Sequence, residues 1–558
     1  MLCKNMGKSM VESKIVASVE KIMPHICPSI EEREGSMLKY ERYNFQLAFC
    51  YQGESRMLMS NKVQVSGTLA PYLELRVVGL VPVTVLPPKM DDYYLSDTVG
   101  VFPDLLKPFD KADLVLPCKQ WRGVWVTVYA PEGLPVGTHE TTFTLISEKG
   151  ETLAVLKHNL EIIDAPLVDG GLRLTNWVHY DCIAHTHGVR LFSRAFYKIF
   201  KEYLRVYTQG GYNMLMTPLF TPPLDTKIGG ERLTAQLVRV KKTGEQYTFD
   251  FQDLKRFIRF ALKNGIKYIE FSPLFTQWGG VACPKIIATV DGEERRIFGW
   301  ETPSASKEYM RFLDAFLPQL GLVIDELGIR ESCYMHLTDE PGIDNIDAYE
   351  QCRNMVKRYI GNIPIMDALG NPEFKERGLV DVPVSGITYF DKFAGCDTSK
   401  MFVYNCCTAF NNYYSNRFIN MPAQRTRVLG VQLYQTGVRG YLHWGFNFYN
   451  SAYSVEQISP YSDTDSHGTF PSGDAFIVYP APNGVYGSLR YEICKEGFQD
   501  CNALKLLENY IGKDRVHDML EKEGVCGYTK YPRDGRWLIN FRAKINQMIK
   551  EYVVYHKK

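Results

Sequence analysis

The sequence predicts a β-sandwich over residues 1–165, followed by a (β/α)8 TIM-like barrel with a C-terminal helical extension over residues 166–558. Three observations carry that expectation. The chain has 558 residues, and single cores usually stop growing at roughly 250 to 300 residues. From about Tyr43 to Ile163, short β-rich runs follow one another without a helical stretch. After Asp164-Ala165-Pro166, apolar strands alternate with helical segments, as in βα units around a parallel sheet.

The N-terminal runs are FQLAFCY, KVQVSG, LELRVVGLVPVTVL, VWVTVYA, THETTFTLI and TLAVLKHNLEII, separated by Gly, Pro and Asp turns. The Pro131 to Gly137 stretch reads as a connection between two antiparallel strands. Eight further strands follow: LRLTNW from Leu172, YNMLMT from Tyr212, IKYIEFS from Ile266, CYMHLT from Cys333, IPIMDAL from Ile363, VPVSGIT from Val382, MFVYNC from Met401 and YLHWGF from Tyr441. Eight strands close a TIM barrel. Between them, Leu254, Phe257, Ile258, Ala261 and Leu262 share one helical face, and Ile346, Tyr349, Cys352, Val356 and Tyr359 repeat the pattern. Arg190 to Tyr207 and Tyr309 to Leu327 supply two more return helices, whereas Asp391 to Lys400 is too short for one. The tail from Ser488 to Lys558 reads as amphipathic helices packing on the barrel.

Charge excludes several partners. Lys and Arg total 64 against 63 Asp and Glu, which leaves no broad field for a phosphate backbone or an anionic bilayer. No nucleic acid and no membrane partner is expected. The first residues, MLCKNMGKSMVESKIVASVEKIMPHICPS, lack the continuous apolar run of a secretory leader, and the 14 Cys show neither a disulfide framework nor a C-x-x-C pair. A cytoplasmic location, no metal and no cofactor are the expectations, and assembly into a homo-oligomer is left open.

In a barrel of this kind the active site lies where the strands end at their C-terminal mouths. Residues just past the eight apolar runs include Trp177, His179, Glu270, Gln277, Trp278, Asp339, Glu340, Asp367, Tyr389, Tyr404, Asn405, His443, Trp444 and Asn447. Acids, amides and aromatics without a Gly-rich phosphate loop suit a sugar better than a nucleotide. Within HLTDEP, Pro341 biases Glu340 away from the α region, so the chain there is extended or turning and both carboxylates can reach the mouth. The same Asp-Glu-Pro run would also suit a helix N-terminus.

Glycosidases use a carboxylic acid of raised pKa to protonate the departing oxygen, and Glu340 is the candidate. Retaining enzymes hold acid and nucleophile about 5 to 5.5 Å apart across the scissile bond, which neighbouring residues achieve poorly. An adjacent pair therefore points to a nucleophile within the substrate. If the substrate carries a 2-acetamido group, its carbonyl oxygen can attack the anomeric carbon while Asp339 accepts the N–H, a substrate-assisted exception to the two-carboxylate scheme.

LTNWVHYDCIA, NMLMTPLFTPPLDT, EFSPLFTQWGG, HLTDEP, RVLGVQLYQTGVRGYLHWGFNFY, GDAFIVYP and SLRYEICKEGFQD closely resemble proteins grouped as domain of unknown function 4091, which are related to the β-N-acetylgalactosaminidases of glycoside hydrolase family 123. The resemblance runs from about Val124 to Leu507. It implies a sandwich plus barrel and substrate-assisted retention on a small carbohydrate with a terminal β-linked amino sugar. Asp339 resembles the amide-orienting acid and Glu340 the acid/base. Trp177, His179, Gln277, Trp278, Asn405, Trp444 and Asn447 fall in segments resembling pocket segments, and either Tyr389 or Tyr404 fits the tyrosine expected to bind the acetamido carbonyl. Two alternatives stand beside this: a conventional glycosidase with Glu270 or Asp367 as nucleophile, and a non-catalytic carbohydrate-binding protein.

Overall fold

The computed structural model describes residues 10–111, 113–131 and 133–556. Of the N-terminal stretch inspected for a leader, residues 1–9 lie outside the described residues. Two compact units divide the chain: one runs to Gly170 and adds Phe410–Gln435 and the stretch from Tyr486 onward, and the other comprises Gly171–Ala409 and Thr436–Val485.

The first unit contains two five-stranded sheets. One has the order β1 (Val11–Ala17), β3 (Arg42–Tyr51), β8 (Trp121–Tyr129), β5 (Leu73–Val83) and β6 (Gly100–Pro108). The other has the order β2 (Glu34–Lys39), β10 (Thr152–Pro166), β9 (Gly137–Ile146), β4 (Met57–Gly67) and β7 (Leu114–Pro117). Alternation sends one face of each inward: Phe45 and Leu47 of β3 share a core with Phe143 and Leu145 of β9. The rings of Phe45 and Phe143 meet edge to face at 5.7 Å.

The 131–137 segment does not join paired neighbours. β8 pairs with β3 and β5, whereas β9 pairs with β10 and β4, so this Pro-containing connection passes from one sheet to the other. Turn residues reveal that a chain reverses but not which ladder receives it.

The C-terminal helices belong to this unit and not to the barrel that their pattern suggested. Leu489–Ile511 contacts β6, and Gly535–His556 contacts β2 and β10. Amphipathicity reveals that a helix buries one face, not against what. Buried charges anchor them. Arg490 pairs with Asp104 of β6 at 2.8 Å, and Arg542 joins Asp500 to Glu41 at 2.9 and 2.8 Å.

The second unit is built on one eight-stranded parallel sheet. Its order is β18 (Cys333–Met335), β15 (Tyr268–Phe271), β12 (Met214–Thr217), β11 (Arg173–Asn176), β22 (Gly440–His443), β21 (Phe402–Tyr404), β20 (Val382–Gly386) and β19 (Met366–Leu369). All eight fall on the runs read from the sequence, with β22 starting one residue earlier, at Gly440. The terminal strands of that order, β18 and β19, meet through a single parallel bridge, Met335 to Ile365, so the barrel is nearly closed. Helices Arg194–Gln209, Gln252–Lys263, Lys307–Glu326 and Ile346–Ile360 return from the first four strands. Ser193 and Ser306 cap the first and third by accepting the N–H of Phe196 and Tyr309.

One element of the barrel unit was not anticipated. β13 (Arg239–Thr243), β14 (Gln246–Asp250), β16 (Ile286–Val290) and β17 (Glu293–Phe298) form a separate four-stranded sheet. Its signal was in the sequence: Asp291-Gly292 takes positive φ at both positions, 52° and 87°, the requirement of a tight type I′ hairpin. Among the described residues no helix is long and apolar enough to cross a membrane.

Where helix Leu429–Thr436 crosses Leu489–Ile511, a Cβ on Gly430 would overlap the backbone carbonyl of Gly497. Gly430→Ala is expected to destabilise the fold by at least about 1–3 kcal/mol, the usual cost of overpacking, read as a lowered Tm by calorimetry. An unchanged Tm would show that the helices separate freely.

Candidate active site

The site rests on a buried charged layer. Glu270 of β15, His336 just beyond β18 and Asp367 of β19 are all sealed from solvent. His336 contacts Glu270 through Nε2 at 2.6 Å and Asp367 through Nδ1 at 3.0 Å. Both ring nitrogens face carboxylates, so both donate and the ring is an imidazolium. Burial opposes that charge, but the two carboxylates prevail and hold its pKa up at about 10. The remaining oxygens are also occupied. Glu270 accepts from Thr175 at 2.8 Å and from the indole of Trp177 at 2.7 Å, and Asp367 accepts from Tyr349 at 2.6 Å and from the Leu337 N–H at 3.1 Å. These bonds span the β18–β19 seam, where the backbone ladder supplies one bridge.

Above this layer lies a cavity of about 150 Å³ lined by Trp177, His179, Asp225, Gln277, Trp278, Asp339, Glu340, Tyr404, Trp444 and Phe470, among others. A larger cavity of about 500 Å³ lies in the first unit. There Arg427 binds Glu496 and Asp500, and Arg542 binds Glu41 and Asp500, so its buried charges are spent on one another. The smaller cavity is the one that holds the strand-mouth carboxylates.

Asp339 and Glu340 both reach it because the backbone turns between them. Glu340 has φ 45°, the left-handed region that costs a non-glycine residue of order 1–3 kcal/mol unless its surroundings impose it. The pair does not cap a helix, since the following helix starts at Ile346 with Asn345 as its N-cap. The Asp339 carbonyl accepts the Trp278 N–H at 2.7 Å, and the Tyr404 hydroxyl donates to Glu340 Oε1 at 2.6 Å. Burial, and then the Glu340 carboxylate beside it, hold the Asp339 carboxyl well above the usual range. The pair thus keeps a proton at pH values where a solitary aspartate has lost it.

The walls are fixed from behind. Asp181 holds Arg232 at 2.8 Å with both buried, and Arg232 Nη2 stands 3.3 Å from His179 Nδ1 while His179 Nε2 stands 2.9 Å from the Trp444 carbonyl. The guanidinium can only donate and the carbonyl only accept, which sets the Nε2–H tautomer. Burial and Arg232 lower the His179 pKa to about 4, so this ring enters the cavity neutral. The Trp444 indole donates to Asp474 at 3.0 Å, and Gln277 donates to the Thr226 carbonyl at 3.0 Å.

Eight of the residues singled out from the sequence therefore line one cavity: Trp177, His179, Gln277, Trp278, Asp339, Glu340, Tyr404 and Trp444. Three do not. Asn447 lies behind the wall, exchanging hydrogen bonds at 3.0 Å with the backbone N–H and carbonyl of His179. Asn405 is buried and accepts from Tyr441 at 2.7 Å. Tyr389 occupies a surface turn, its N–H bonded to Gly386 and Lys392 over its ring at 4.6 Å. Asn405 directly follows Tyr404, which faces the cavity, and so has the opposite parity, while Tyr389 and Asn447 stand on loops that carry them away from it. Sequence reading missed Asp225, Phe470, Cys406 and Cys407 in the lining, and Arg232 behind it. These stand on loops whose path no strand periodicity predicts; Asp225 and Cys406 lay in quoted segments, the others did not. Among the described residues no group of His, Cys, Asp and Glu is arranged to hold a metal ion.

A parallel barrel with carboxylates, neutral imidazole and indoles converging at its strand mouths suits a carbohydrate-active enzyme. The family model described as "Glycoside hydrolase 123, catalytic domain" matches residues 177–507, and the chain belongs to glycoside hydrolase family 123, acting on a carbohydrate substrate. The match starts within β11's mouth, later than the Val124 limit of the resemblance.

A family 123 glycoside hydrolase from Clostridium perfringens, described in connection with glycolipid glycan hydrolysis, superposes with TM-score 0.75 at 14% identity over 98% of this chain and 99% of that one. That likeness is one of fold. A putative beta-galactosidase from Bacteroides fragilis reaches TM-score 0.32 at 9% identity over 87% and 62% of the two chains, too slight to use. A search of curated protein sequences finds no match.

His336→Ala leaves two buried carboxylates facing each other and is expected to cost about 3–5 kcal/mol, the loss seen when one partner of a buried pair is removed. Because the folded pKa exceeds the ordinary value of 6.5, the stability that His336 contributes is full below that pH and is lost as pH rises through about 10. Chemical denaturation of both proteins between pH 6 and 10 should show their difference shrinking with rising pH, and a constant difference would contradict the imidazolium. Tyr404→Phe removes the donor to Glu340 and is expected to lower kcat about tenfold or more, on the scale of one lost charge-assisted hydrogen bond, with Tm nearly unchanged.

Proposed function

We propose that this enzyme is a retaining exo-β-N-acetylgalactosaminidase that uses the 2-acetamido group of its substrate as the nucleophile. The carrying observation is that Asp339 and Glu340 line one cavity, while Glu270 and Asp367, the acids a conventional mechanism would recruit, are locked to His336 beneath it. Their oxygens are hydrogen-bonded and sealed from solvent.

In this reading Asp339 accepts the acetamido N–H and holds the carbonyl oxygen beneath the anomeric carbon. Glu340 protonates the glycosidic oxygen as the bond breaks, the carbonyl oxygen closes an oxazolinium ring, and Glu340 then takes a proton from the water that opens it. The raised Asp339 pKa supports this arrangement, because a pair that shares one proton can deliver it to Glu340 once the acetamido N–H occupies Asp339. Tyr404, bonded to Glu340 in the free enzyme, is the tyrosine within reach of the acetamido carbonyl. Trp177 and Trp444 offer indole faces to the sugar, and neutral His179 offers a ring edge. The paired N-terminal sheets and their shared core read as a β-sandwich accessory domain.

The test is hydrolysis of chromogenic β-glycosides of N-acetylgalactosamine, N-acetylglucosamine, galactose and glucose. Activity is expected only on acetamido sugars, with N-acetylgalactosamine preferred. Asp339→Asn and Glu340→Gln should each reduce kcat/KM by about 10² or more, within the usual range for a general acid. Galactosidase activity that survives Asp339→Asn would overturn the mechanism.

A further inference from the structure

The larger cavity, in the first unit, takes no part in the carbohydrate chemistry. Its volume of about 500 Å³ falls within the range of small-molecule sites, roughly 300–1,000 Å³. Residues of β2 and β3 and of the helices Leu489–Ile511 and Gly535–His556 line it. Its buried arginines, Arg427 and Arg542, are committed to Glu41, Glu496 and Asp500. One lining acid stands outside those pairs. Glu32 is 9% exposed. Its Oε1 accepts the Tyr43 hydroxyl at 2.7 Å, and its Oε2 meets no donor among the described residues. Gly35 makes room for this contact, because a Cβ there would overlap the Tyr43 hydroxyl.

A buried carboxylate that lacks a cation is costly, and the charges around the cavity show what is missing. Four buried carboxylates, Glu32, Glu41, Glu496 and Asp500, face two guanidiniums, Arg427 and Arg542. The outer cations are engaged elsewhere: Lys544 pairs with Glu523 at 2.8 Å, and Arg42 lies over the Tyr129 ring at 5.3 Å. We propose that this cavity binds a small aliphatic ammonium compound whose cationic end pairs with Glu32, a second ligand site in addition to the carbohydrate site. An ammonium carries three donors and no acceptor, the complement of an oxygen that lacks a donor. A bare metal ion matches less well, since among the described residues no group of His, Cys, Asp and Glu is arranged to hold one. An anion would meet the excess of carboxylates. Burial pushes the Glu32 carboxyl up to about 7, with Glu496 adding to the shift and Tyr43 and Arg427 opposing it. The ammonium pairs with the ionised form, so its affinity falls as pH drops through that value.

The experiment is calorimetric titration of the full chain with putrescine, a four-carbon diamine, and with the diol of the same length. Saturable binding of the diamine is expected, and none of the diol. Affinity should be about tenfold weaker at pH 6 than at pH 8, the ratio of ionised Glu32 at the two values. Glu32→Gln keeps an acceptor for Tyr43 but not the charge, and should weaken binding about tenfold or more, on the scale of one lost charge-assisted hydrogen bond. Asn540→Lys, at an exposed lining position of the helix Gly535–His556, adds a cation without touching the buried network and should weaken binding about threefold or more through charge repulsion. It decides the matter if Glu32→Gln fails to fold. Asp339→Asn should bind as the wild type does, which separates this site from the carboxylate pair of the barrel. Equal binding of the diol, affinity that ignores pH, binding that survives both cavity variants or is lost in Asp339→Asn, or no binding by the wild type would each overturn the proposal.

Discussion

The Glu270–His336–Asp367 layer is the constraint on which the active site depends. A parallel barrel is held by a closed circuit of backbone ladders, yet between β18 and β19 that circuit has one bridge. Side chains complete it. His336 stands between carboxylates of β15 and β19, and Asp367 also receives the Leu337 N–H. Ion pairs of this kind gain little over a well-packed apolar core. What they supply here is position, because the segment they anchor runs directly into Thr338, Asp339 and Glu340.

That anchoring accounts for the strained turn above it. The left-handed backbone at Glu340 would relax in an isolated chain, where Pro341 favours extended geometry, but His336 is fixed below and Trp278 grips the Asp339 carbonyl. Two adjacent carboxylates that would point to opposite faces of a strand are thereby delivered into one cavity. The same layer buries Glu270 and Asp367 and occupies their oxygens with hydrogen bonds.

The surrounding wall follows a similar logic at neutral charge. Asp181 neutralises Arg232, which in turn keeps His179 unprotonated while the Trp444 carbonyl orients it. Asn447, expected in the pocket, serves instead to clamp the His179 backbone from behind. The lining is mostly aromatic and aliphatic, with His179 and Gln277 as neutral polar groups beside the carboxylates and Asp225. This suits a sugar, whose hydroxyls need partners but whose transition state concentrates positive charge at one carbon.

Sequence alone determined the eight barrel strands, the return helices of the first four and the carboxylate pair, because strand and helix periodicities are local and HLTDEP is contiguous. Tertiary structure decided the rest. Whether 131–137 joins one sheet or crosses to another, and which surface the C-terminal helices cover, depends on partners distant in the chain. Tyr389, Asn405 and Asn447 looked equivalent to Tyr404 and Trp444 as strand-mouth residues, and only the loop paths separate a cavity wall from a surface turn or a hidden brace. Asp225 and Arg232 stood in loops without a periodic signal. A residue's chemistry is written in its identity, whereas the direction in which it acts is set by contacts that sequence spacing does not encode.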